Sequence, residues 1–304
     1  MEPGNIIISY EGIEVSFFSF MRAKEHKEGI MTAKKKKRNP FLAGLLSLLF
    51  TGLGQVYNGK AGLGIAFFLI SGALFLLWGV LGGPHHFIGL VAYAIAGIVL
   101  WLFIAIHAFI QARRMRETEL KRYQKTAVYA FFIIISLGSI FVPARMWMSP
   151  FLGISPYKMA TASMLPTLQK DDCLMTNRRA YRSQAPKRGD LIIFEYPQDP
   201  AKHFVMRVIA LEGETLEIKN KQVFIDGEPL QESYKVQEDA AMVDTRDNLS
   251  PLKTPAGHCF VLGDNRDNSN DSRFWGALPL INIKGQALYI YWAKDKKKIG
   301  LTLK

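Results

Sequence analysis

The sequence predicts a mainly β soluble domain anchored by an amino-terminal bundle of transmembrane α-helices. Two observations predict this architecture. Long apolar runs are concentrated between Phe41 and Trp147, and short β-branched or aromatic runs dominate after Pro150. A run of about 20 apolar residues can cross a bilayer as a helix, whereas short runs bounded by turn residues are typical of strands. The chain of 304 residues therefore divides into a membrane half and a globular half.

Three apolar runs are long enough to span a bilayer. They lie at about residues 62–82, 87–110 and 127–147. A fourth run, at 41–57, is shorter and is interrupted by Gly52, Gly54 and Gln55, so we expect it to be half-inserted or re-entrant. Together the four runs define a membrane domain at 41–148.

The distribution of positive charge predicts the orientation of these runs. The formal net charge is +12, and basic residues cluster beside the apolar runs, at 34–38 and 113–125. Short basic loops next to membrane spans stay in the cytoplasm. If both clusters are cytoplasmic, an even number of crossings lies between them, which fits two spans plus a re-entrant segment. The third span then carries residues 149–304 to the extracytoplasmic side of a multi-pass cell-membrane protein.

The amino-terminal residues 1–40 are expected to form a cytoplasmic tail, with Met31 as an alternative start. The first apolar run lies far from Met1 and lacks a small-residue cleavage site, so the runs should remain as anchors. The lipid bilayer is therefore a predicted partner. Nucleic acid is not, because the second half of the chain has no basic helix interleaved with aromatic residues.

The globular half is rich in strand signals. Predicted strands lie at Leu191–Tyr196, Phe204–Leu211, Thr215–Lys219, Gln222–Ile225, His258–Leu262 and Ala287–Trp292. Asn220–Lys221 and Asp226–Gly227 are predicted to be tight hairpin turns. The polar stretch at 231–255 is predicted to be a long surface excursion. The pair Cys173 and Cys259 is interpreted as two buried free thiols, with a disulfide in an oxidising compartment as the alternative.

Four segments of the globular half carry chemistry-bearing residues. They are Ala162–Leu168 (ASMLPTL), Arg188–Asp190 (RGD) before a strand, Phe204–Ile209 (FVMRVI), and Gly263–Gly276 (GDNRDNSNDSRFWG). The first contains Ser163 beside a Pro-Thr turn. A serine hydroxyl becomes a good nucleophile only when a base takes its proton. Each segment alone also fits an ordinary turn or polar loop.

In this order, the four segments resemble the conserved boxes of bacterial type I signal peptidases, over about Lys158 to Trp292. The resemblance implies a β domain of the type I signal peptidase kind. It also implies a membrane-bound serine endopeptidase, without cofactor or metal, that uses a serine–lysine dyad. Its implied partners are the amino-terminal signal peptides of exported preproteins, which such enzymes cut after Ala-x-Ala-like sites.

The same resemblance implies roles for individual residues. Ser163 would be the nucleophile, and the Thr161 hydroxyl would join the Ser163 backbone N–H in an oxyanion hole. Ser269 would orient the base. The supporting residues of the fourth segment would be Ser269, Asp271, Arg273, Asp264 and Asn265. The substrate cleft would be lined by Met159, Ala160, Ala162, Met164, Leu168, Phe204 and Val205.

One position departs from the family pattern, because Met206 stands where the family has its general-base lysine. A thioether sulfur is only a weak hydrogen-bond acceptor and cannot serve as the base. Lys202 lies on the same strand face but about 13 Å away, at ~3.3 Å per residue. His203 is closer but should point to the opposite face.

Three explanations follow for Met206. The chain is a pseudoprotease that still binds signal peptides, or an inactivated form with one codon changed from Lys to Met, or an enzyme whose base comes from elsewhere. Two other classes are less favoured. A cytoplasmic self-cleaving regulator would carry a helix-turn-helix in place of the membrane runs. A purely structural membrane protein would leave the four ordered segments unexplained.

Overall fold

The computed structural model describes residues 35–115, 117–119, 129, 130, 132, 134 and 152–303. Clustering of contacts divides the chain into two compact units. One contains the described residues within 35–70 and 99–134, and the other contains those within 71–98 and 152–303. Residues 1–34 of the predicted tail lie outside the described residues, and so does most of the predicted span at 127–147.

The amino-terminal half is helical. Its elements are β1 (Lys35–Lys37), α1 (Pro40–Leu49), α2 (Leu53–Tyr57), α3 (Ala61–Val80), α4 (Phe87–Arg114) and β2 (Glu117–Glu119). Helices α3 and α4, with 20 and 28 residues, are long and apolar enough to cross a membrane. They coincide with the first two predicted spans, except that α4 continues beyond residue 110 to a basic end at Arg113 and Arg114.

The apolar run at 41–57 folds as two short helices. Helix α1 has 10 residues and α2 has 5, so neither is long enough to cross a bilayer. The Asn39 side chain caps α1 by accepting hydrogen bonds from the N–H groups of Phe41 and Leu42. Gly52, with φ 88°, adopts the left-handed conformation that lets α2 turn away from α1. The half-inserted position of this hairpin in a membrane remains a prediction.

Buried polar side chains attach this hairpin to α4. The Ser47 hydroxyl donates to Gln55 Oε1 at 3.0 Å, and Gln55 Nε2 donates to the Ile104 carbonyl at 2.9 Å. Asn58 Nδ2 donates to the Ala108 carbonyl at 2.9 Å. A polar group among apolar side chains is costly unless it is hydrogen-bonded. These bonds therefore fix the hairpin against α4.

Gly54 is where the hairpin backbone comes closest to its neighbours. A Cβ atom at this position would lie 2.0 Å from the Ala43 carbonyl oxygen and 2.8 Å from Ala108 Cβ. We expect Gly54→Ala to lower the free energy of unfolding by about 1–3 kcal/mol, because overpacking forces the backbone apart. Thermal unfolding of the detergent-solubilised chain measures the change.

Gly62→Ala is the matched control. Gly62 also lies in a helix, but a Cβ atom there would have no neighbour within 4 Å. This variant should be as stable as the wild type or slightly more stable, since alanine favours helix more than glycine does. Equal unfolding temperatures for Gly54→Ala and Gly62→Ala would contradict the close packing at Gly54.

The carboxy-terminal half is mainly β, as predicted. Its strands are β3 (Ile154–Lys158), β4 (Cys173–Asn177), β5 (Leu191–Tyr196), β6 (Asp199–Ala210), β7 (Thr215–Lys219), β8 (Gln222–Ile225), β9 (Glu228–Pro229), β10 (Leu249–Lys253), β11 (His258–Leu262), β12 (Leu278–Pro279) and β13 (Ile283–Trp292). Short helices α5 (Asp244–Asp247) and α6 (Ser272–Trp275) follow β9 and β11. A seven-stranded antiparallel sheet has the order β12-β11-β6-β5-β13-β4-β3, and a four-stranded sheet has the order β10-β7-β8-β9.

Strand β6 joins two hydrophobic cores. Val208 belongs to the larger cluster, which also contains Ile192 and Phe194 of β5. The next residue, Ile209, belongs to a second cluster with Leu216 of β7 and other residues of the small sheet. Side chains alternate between the two faces of a strand, so the end of β6 is buried on both faces. This burial holds β6 firmly, and β6 carries residue 206.

The predicted hairpin turns are confirmed. Asn220 and Lys221 have φ values of 47° and 71°, and Asp226, which precedes Gly227, has a φ of 50°. The prediction of a surface excursion at 231–255 is wrong in part, because this stretch contains α5 and β10, which pairs with β7. Strand β10 is an edge strand that pairs only with β7, and its polar composition gave no strand signal in the sequence.

The two cysteines are unpaired in the structure. Cys259 is fully buried, and burial raises the pKa of its thiol to about 12. Cys173 is only partly buried, so the prediction of two buried thiols is right for Cys259 and wrong for Cys173. Cys173 starts β4 beside an exposed turn, which leaves its side chain partly accessible.

Candidate active site

A groove of about 290 Å³ opens on the β domain. Its first wall is the end of β3 and the segment that follows, and its second wall is the middle of β6. The groove is lined by Tyr157, Lys158, Met159, Ala160, Thr161, Ala162, Ser163, His203, Phe204, Val205, Met206, Asn268 and Asn270. Residues 163 and 206, which are far apart in sequence, therefore border one cavity.

Ser163 is held through its side chain and through its backbone. Its hydroxyl oxygen lies 2.9 Å from the Thr161 hydroxyl oxygen, and either group can donate. Its carbonyl accepts a hydrogen bond from the backbone N–H of Asn265 at 3.0 Å. The Asn265 side chain also donates to the Ala162 carbonyl at 3.2 Å. The loop after β11 thus fixes the backbone of Ser163 while leaving its hydroxyl on the groove.

Ser269 approaches the same point. A Cβ atom at Gly263 would lie 2.6 Å from the Ser163 carbonyl oxygen and 2.3 Å from Ser269 Oγ, so only glycine allows both to come this close. The Ser269 hydroxyl is buried and has no hydrogen-bond partner within the part of the chain that the structure describes. A buried hydroxyl without a partner is uncommon and requires an explanation.

A buried ion pair holds the walls of the groove together. Arg207 donates from Nε and Nη2 to the two carboxylate oxygens of Asp264, at 2.9 and 2.8 Å, and the two side chains are only 3% and 0% exposed. Thr167 donates to the same carboxylate at 2.5 Å. Arg207 Nη1 also donates to the Gly189 carbonyl at 2.8 Å, which connects the second sequence segment to the site. Bidentate pairing of this kind fixes position as well as charge.

A second carboxylate organises the loop itself. Asp271 accepts from Arg273 Nε at 2.8 Å and from the Gly263 backbone N–H at 3.1 Å. Arg273 also donates from Nη2 to the Arg266 carbonyl at 2.7 Å. Asp271 is fully buried, and Arg273 Nη2 and the Arg273 backbone N–H donate to it as well, so its charge is satisfied within the loop. The loop that supports Ser163 is therefore internally braced.

Two residues predicted to line the cleft lie elsewhere. Met164 and Leu168 are fully buried in the large core cluster and do not border the groove. The turn after Ser163 directs both side chains into the domain, where they support the groove from below. The other predicted lining residues, Met159, Ala160, Ala162, Phe204 and Val205, do border it.

Met206 occupies the position at which the resemblance places a base. Its side chain is 2% exposed and belongs to the large core cluster, although it reaches the groove. Among the groove-lining residues, only Lys158 and His203 carry a basic nitrogen. The Lys158 ammonium lies 2.9 Å from Asp171, and this hydrogen bond raises its pKa, so it stays protonated.

The two basic neighbours of Met206 differ in their position relative to the groove. Lys202 does not border the groove, and its ammonium pairs with Asp199 at 2.9 Å, a hydrogen bond that raises its pKa. His203 borders the groove. Its exposed ring lies 5.7 Å from the ring of Tyr157, centroid to centroid. Within the described residues, no group of three His, Cys, Asp or Glu side chains is placed to hold a metal ion.

Two contributions to the site were missed at the sequence level. Lys298, in a basic segment near the carboxy terminus, donates to the carbonyls of Pro166 and Thr167 at 2.9 and 3.3 Å. From the polar excursion, Glu232 forms a buried ion pair with Arg266 of the loop. No local sequence pattern predicts these contacts, because each one joins segments that are distant in sequence.

Comparisons with known proteins identify the family of the chain. The family model described as "Signal peptidase, peptidase S26" matches residues 123–292, which is more than half of the chain. The fold and site thus define a protein of the signal-peptide-processing class. The chain belongs to the signal peptidase, peptidase S26 family.

Individual relatives carry matching names. The chain is 40% identical over 153 residues to a probable signal peptidase I-1 from Synechocystis, an alignment that covers 48% of this chain and 75% of that protein. It is 29% identical over 230 residues to a signal peptidase I from Pseudomonas fluorescens, covering 61% and 77%. A crystal structure of a signal peptidase I from Enterococcus faecalis matches with 30% identity and a TM-score of 0.30, covering 34% of this chain and 97% of that one.

The buried ion pair leads to a stability prediction. Arg207→Met should lower the free energy of unfolding by about 3–5 kcal/mol, because it leaves the Asp264 carboxylate buried and unpaired. Chemical denaturation followed by tryptophan fluorescence measures the change. Lys202→Met removes an exposed lysine from a surface pair on the same strand and should leave the midpoint nearly unchanged. Similar shifts for both variants would contradict the structural role of the buried pair.

Proposed function

We propose that this chain is a membrane-bound protein of the signal peptidase I type that binds the amino-terminal signal peptides of exported preproteins in its groove. One observation carries the proposal: the Ser163 hydroxyl, the Thr161 hydroxyl and residue 206 border the same groove. Family membership supplies the class of substrate. The bound peptide would lie extended between the segment at 159–162 and the segment at 204–206.

The proposed specificity is for small side chains near the cut, as in Ala-x-Ala. The groove holds only about 290 Å³, less than most sites for drug-sized ligands. Its Ser163 end is bordered by the short side chains of Ala160, Thr161 and Ala162. Alternate side chains of an extended substrate point to the same side, so small apolar pockets along the groove would select them.

In the first candidate function, Ser163 hydrolyses the signal peptide. Its oxygen attacks the carbonyl carbon of the bond to be cut, and its proton passes to a base. The Thr161 hydroxyl and the Ser163 backbone N–H would stabilise the oxyanion that forms. Collapse of the intermediate breaks the C–N bond as the amine leaves with a proton, and water then releases the acyl group from Ser163.

Met206 favours a second candidate function, which is capture of signal peptides without cleavage. The position that should supply the base holds a thioether, and the amines of Lys158 and Lys202 stay protonated in ion pairs. The binding groove and the oxyanion donors do not depend on the base. The chain would therefore bind substrate while attacking it far more slowly than a complete dyad.

A position in the cell membrane, with the β domain outside the cytoplasm, completes the proposal. Helices α3 and α4 have the length and composition for two crossings. Strand β1 pairs with strand β2, so the basic segments before the first helix and after α4 lie side by side. Two crossings between those segments would bring both to the same, cytoplasmic face.

Restoring the base tests both candidates. We expect Met206→Lys to raise the rate of cleavage of a preprotein with an Ala-x-Ala site by about 10²–10⁴-fold over the wild type, the usual contribution of general-base catalysis. Met206→Leu is the matched control, since it keeps the apolar volume and adds no amine. Gel analysis of cleavage in proteoliposomes and binding of a fluorescent signal peptide are measured on the same samples.

The outcomes separate the candidates. Capture without cleavage requires binding by the wild type and cleavage only after Met206→Lys, with cleavage lost again when Ser163→Ala is added. Rapid cleavage by the wild type that Ser163→Ala abolishes would establish the peptidase and a base from another residue. Neither binding nor cleavage by any variant would refute the proposed function.

A further inference from the structure

The turn between α3 and α4 is in contact with the β domain. The Tyr289 hydroxyl of β13 donates to the Pro84 carbonyl at 2.7 Å, and both groups are buried. The Tyr289 ring, 2% exposed, meets the Phe87 ring edge to face at 5.8 Å between centroids. These groups lie in one compact unit, formed by residues 71–98 with the β domain.

A shared apolar cluster surrounds this hydrogen bond. From the β domain it contains Leu152, Ile154, Met175 and Tyr289, and from α3 and α4 it contains Phe75, Phe87 and Leu90. Buried aromatic side chains contribute strongly to such contacts, and an edge-to-face pair adds about 0.5–1.5 kcal/mol beyond burial. The helices and the β domain therefore share part of a core and are not merely joined by a tether.

Two glycines mark points of close approach, beside a cavity of about 500 Å³ that Phe87, Tyr289 and Gly300 border. A Cβ atom at Gly79 of α3 would lie 2.0 Å from Leu152 Cδ2. A Cβ atom at Gly300 would lie 2.8 Å from Phe87 Cδ1, and Gly300 has φ 88°, which other residues rarely adopt. At both glycines a side chain would clash with atoms across the contact between the helices and the β domain. Neither glycine belongs to the four segments that carry the family resemblance.

The contact also agrees with the proposed topology. A turn at 81–86 follows one crossing, and a domain after residue 148 follows three crossings. Both are odd numbers, so both segments would lie on the same outer face of the membrane, as a direct contact requires. An even number of crossings for either segment would separate them by the bilayer.

We propose that the turn at 81–86, together with Phe87 at the start of α4, holds the β domain at one height and tilt above the membrane; this contact, called the seat below, has Tyr289 and Phe87 as its positioning residues. A fixed groove meets every substrate at the same distance from the bilayer. The seat would therefore select signal peptides by the length of chain between their membrane segment and the cut site. The selection rests on the proposed function, whereas the seat itself requires only that α3 and α4 are in the membrane.

The height of the groove can be measured without substrate. Asn270 is exposed and borders the groove, so Asn270→Cys accepts a fluorophore. The background carries Cys173→Ser, and Cys259 is fully buried. Time-resolved energy transfer to acceptor-labelled lipids in nanodiscs then gives the distribution of distances from the groove to the bilayer. We expect one narrow distribution for the full-length chain.

Variants of the seat should release the domain. Phe87→Ala removes the ring contact, and Tyr289→Phe removes only the hydrogen bond. Each should raise the fraction of molecules with displaced grooves roughly fivefold or more, the factor that corresponds to about 1 kcal/mol. Ile88→Ala is the matched control, because Ile88 follows Phe87 on α4 but is 81% exposed. Circular dichroism and the unfolding temperature verify that each variant is folded.

The result decides the seat independently of the proposed function. A broad distribution in the wild type, or distributions in Phe87→Ala and Tyr289→Phe that match Ile88→Ala, would overturn it. The selection is tested by binding signal peptides with spacers of graded length. The seat predicts one preferred spacer in the wild type and loss of that preference in Phe87→Ala. Equal preference in both proteins would overturn the selection, and absence of binding by the wild type would instead refute the proposed function.

Discussion

The ion pair between Arg207 and Asp264 is the interaction on which the geometry of the site depends. Arg207 follows residue 206 on β6, and Asp264 precedes Asn265, whose backbone N–H holds the Ser163 carbonyl. Thr167, four residues after the serine, donates to the same carboxylate. One buried pair therefore joins the strand with residue 206, the turn with Ser163 and the supporting loop. A charge pair this deeply buried is stable only when all its hydrogen bonds are made, which fixes the three segments in one arrangement.

The arrangement of the three segments joined by the Arg207–Asp264 pair does not depend on a base at position 206. Met206 is 2% exposed and packs in the core, where an apolar side chain is favourable. A lysine at the same place would have to bury an amine, and burial lowers the pKa of an amine toward the range in which it can accept a proton. The environment that would activate a lysine is thus also one that accepts methionine without strain. The buried Ser269 hydroxyl, which has no partner in the described structure, is consistent with a frame built for one more polar group.

Sequence patterns predicted the local features of the structure and missed those that join distant segments. The length of the apolar runs located helices α3 and α4, and short β-branched or aromatic runs located strands such as β5 and β7. Strand β3 was missed because its sequence, ISPYK, contains a proline and alternates poorly. The ordered motifs predicted that Ser163, residue 206 and Ser269 share a site, but gave no sign that Met164 and Leu168 turn into the core. The roles of Lys298 and Glu232 depend on partners far along the chain, which composition cannot reveal.

Electrostatics, and not distance alone, makes Lys158 and Lys202 poor candidates for a general base. Lys158 borders the groove, and Lys202 lies on the adjoining strand, yet each ammonium is held by an aspartate in an exposed pair. Exposed pairs add little to stability, because water competes for both charges. They still favour the protonated amine, since the carboxylate stabilises the positive form and raises the pKa. A useful base needs the opposite environment, which is burial away from carboxylates. Of these three positions only residue 206 is buried, and there the chain has a side chain without nitrogen.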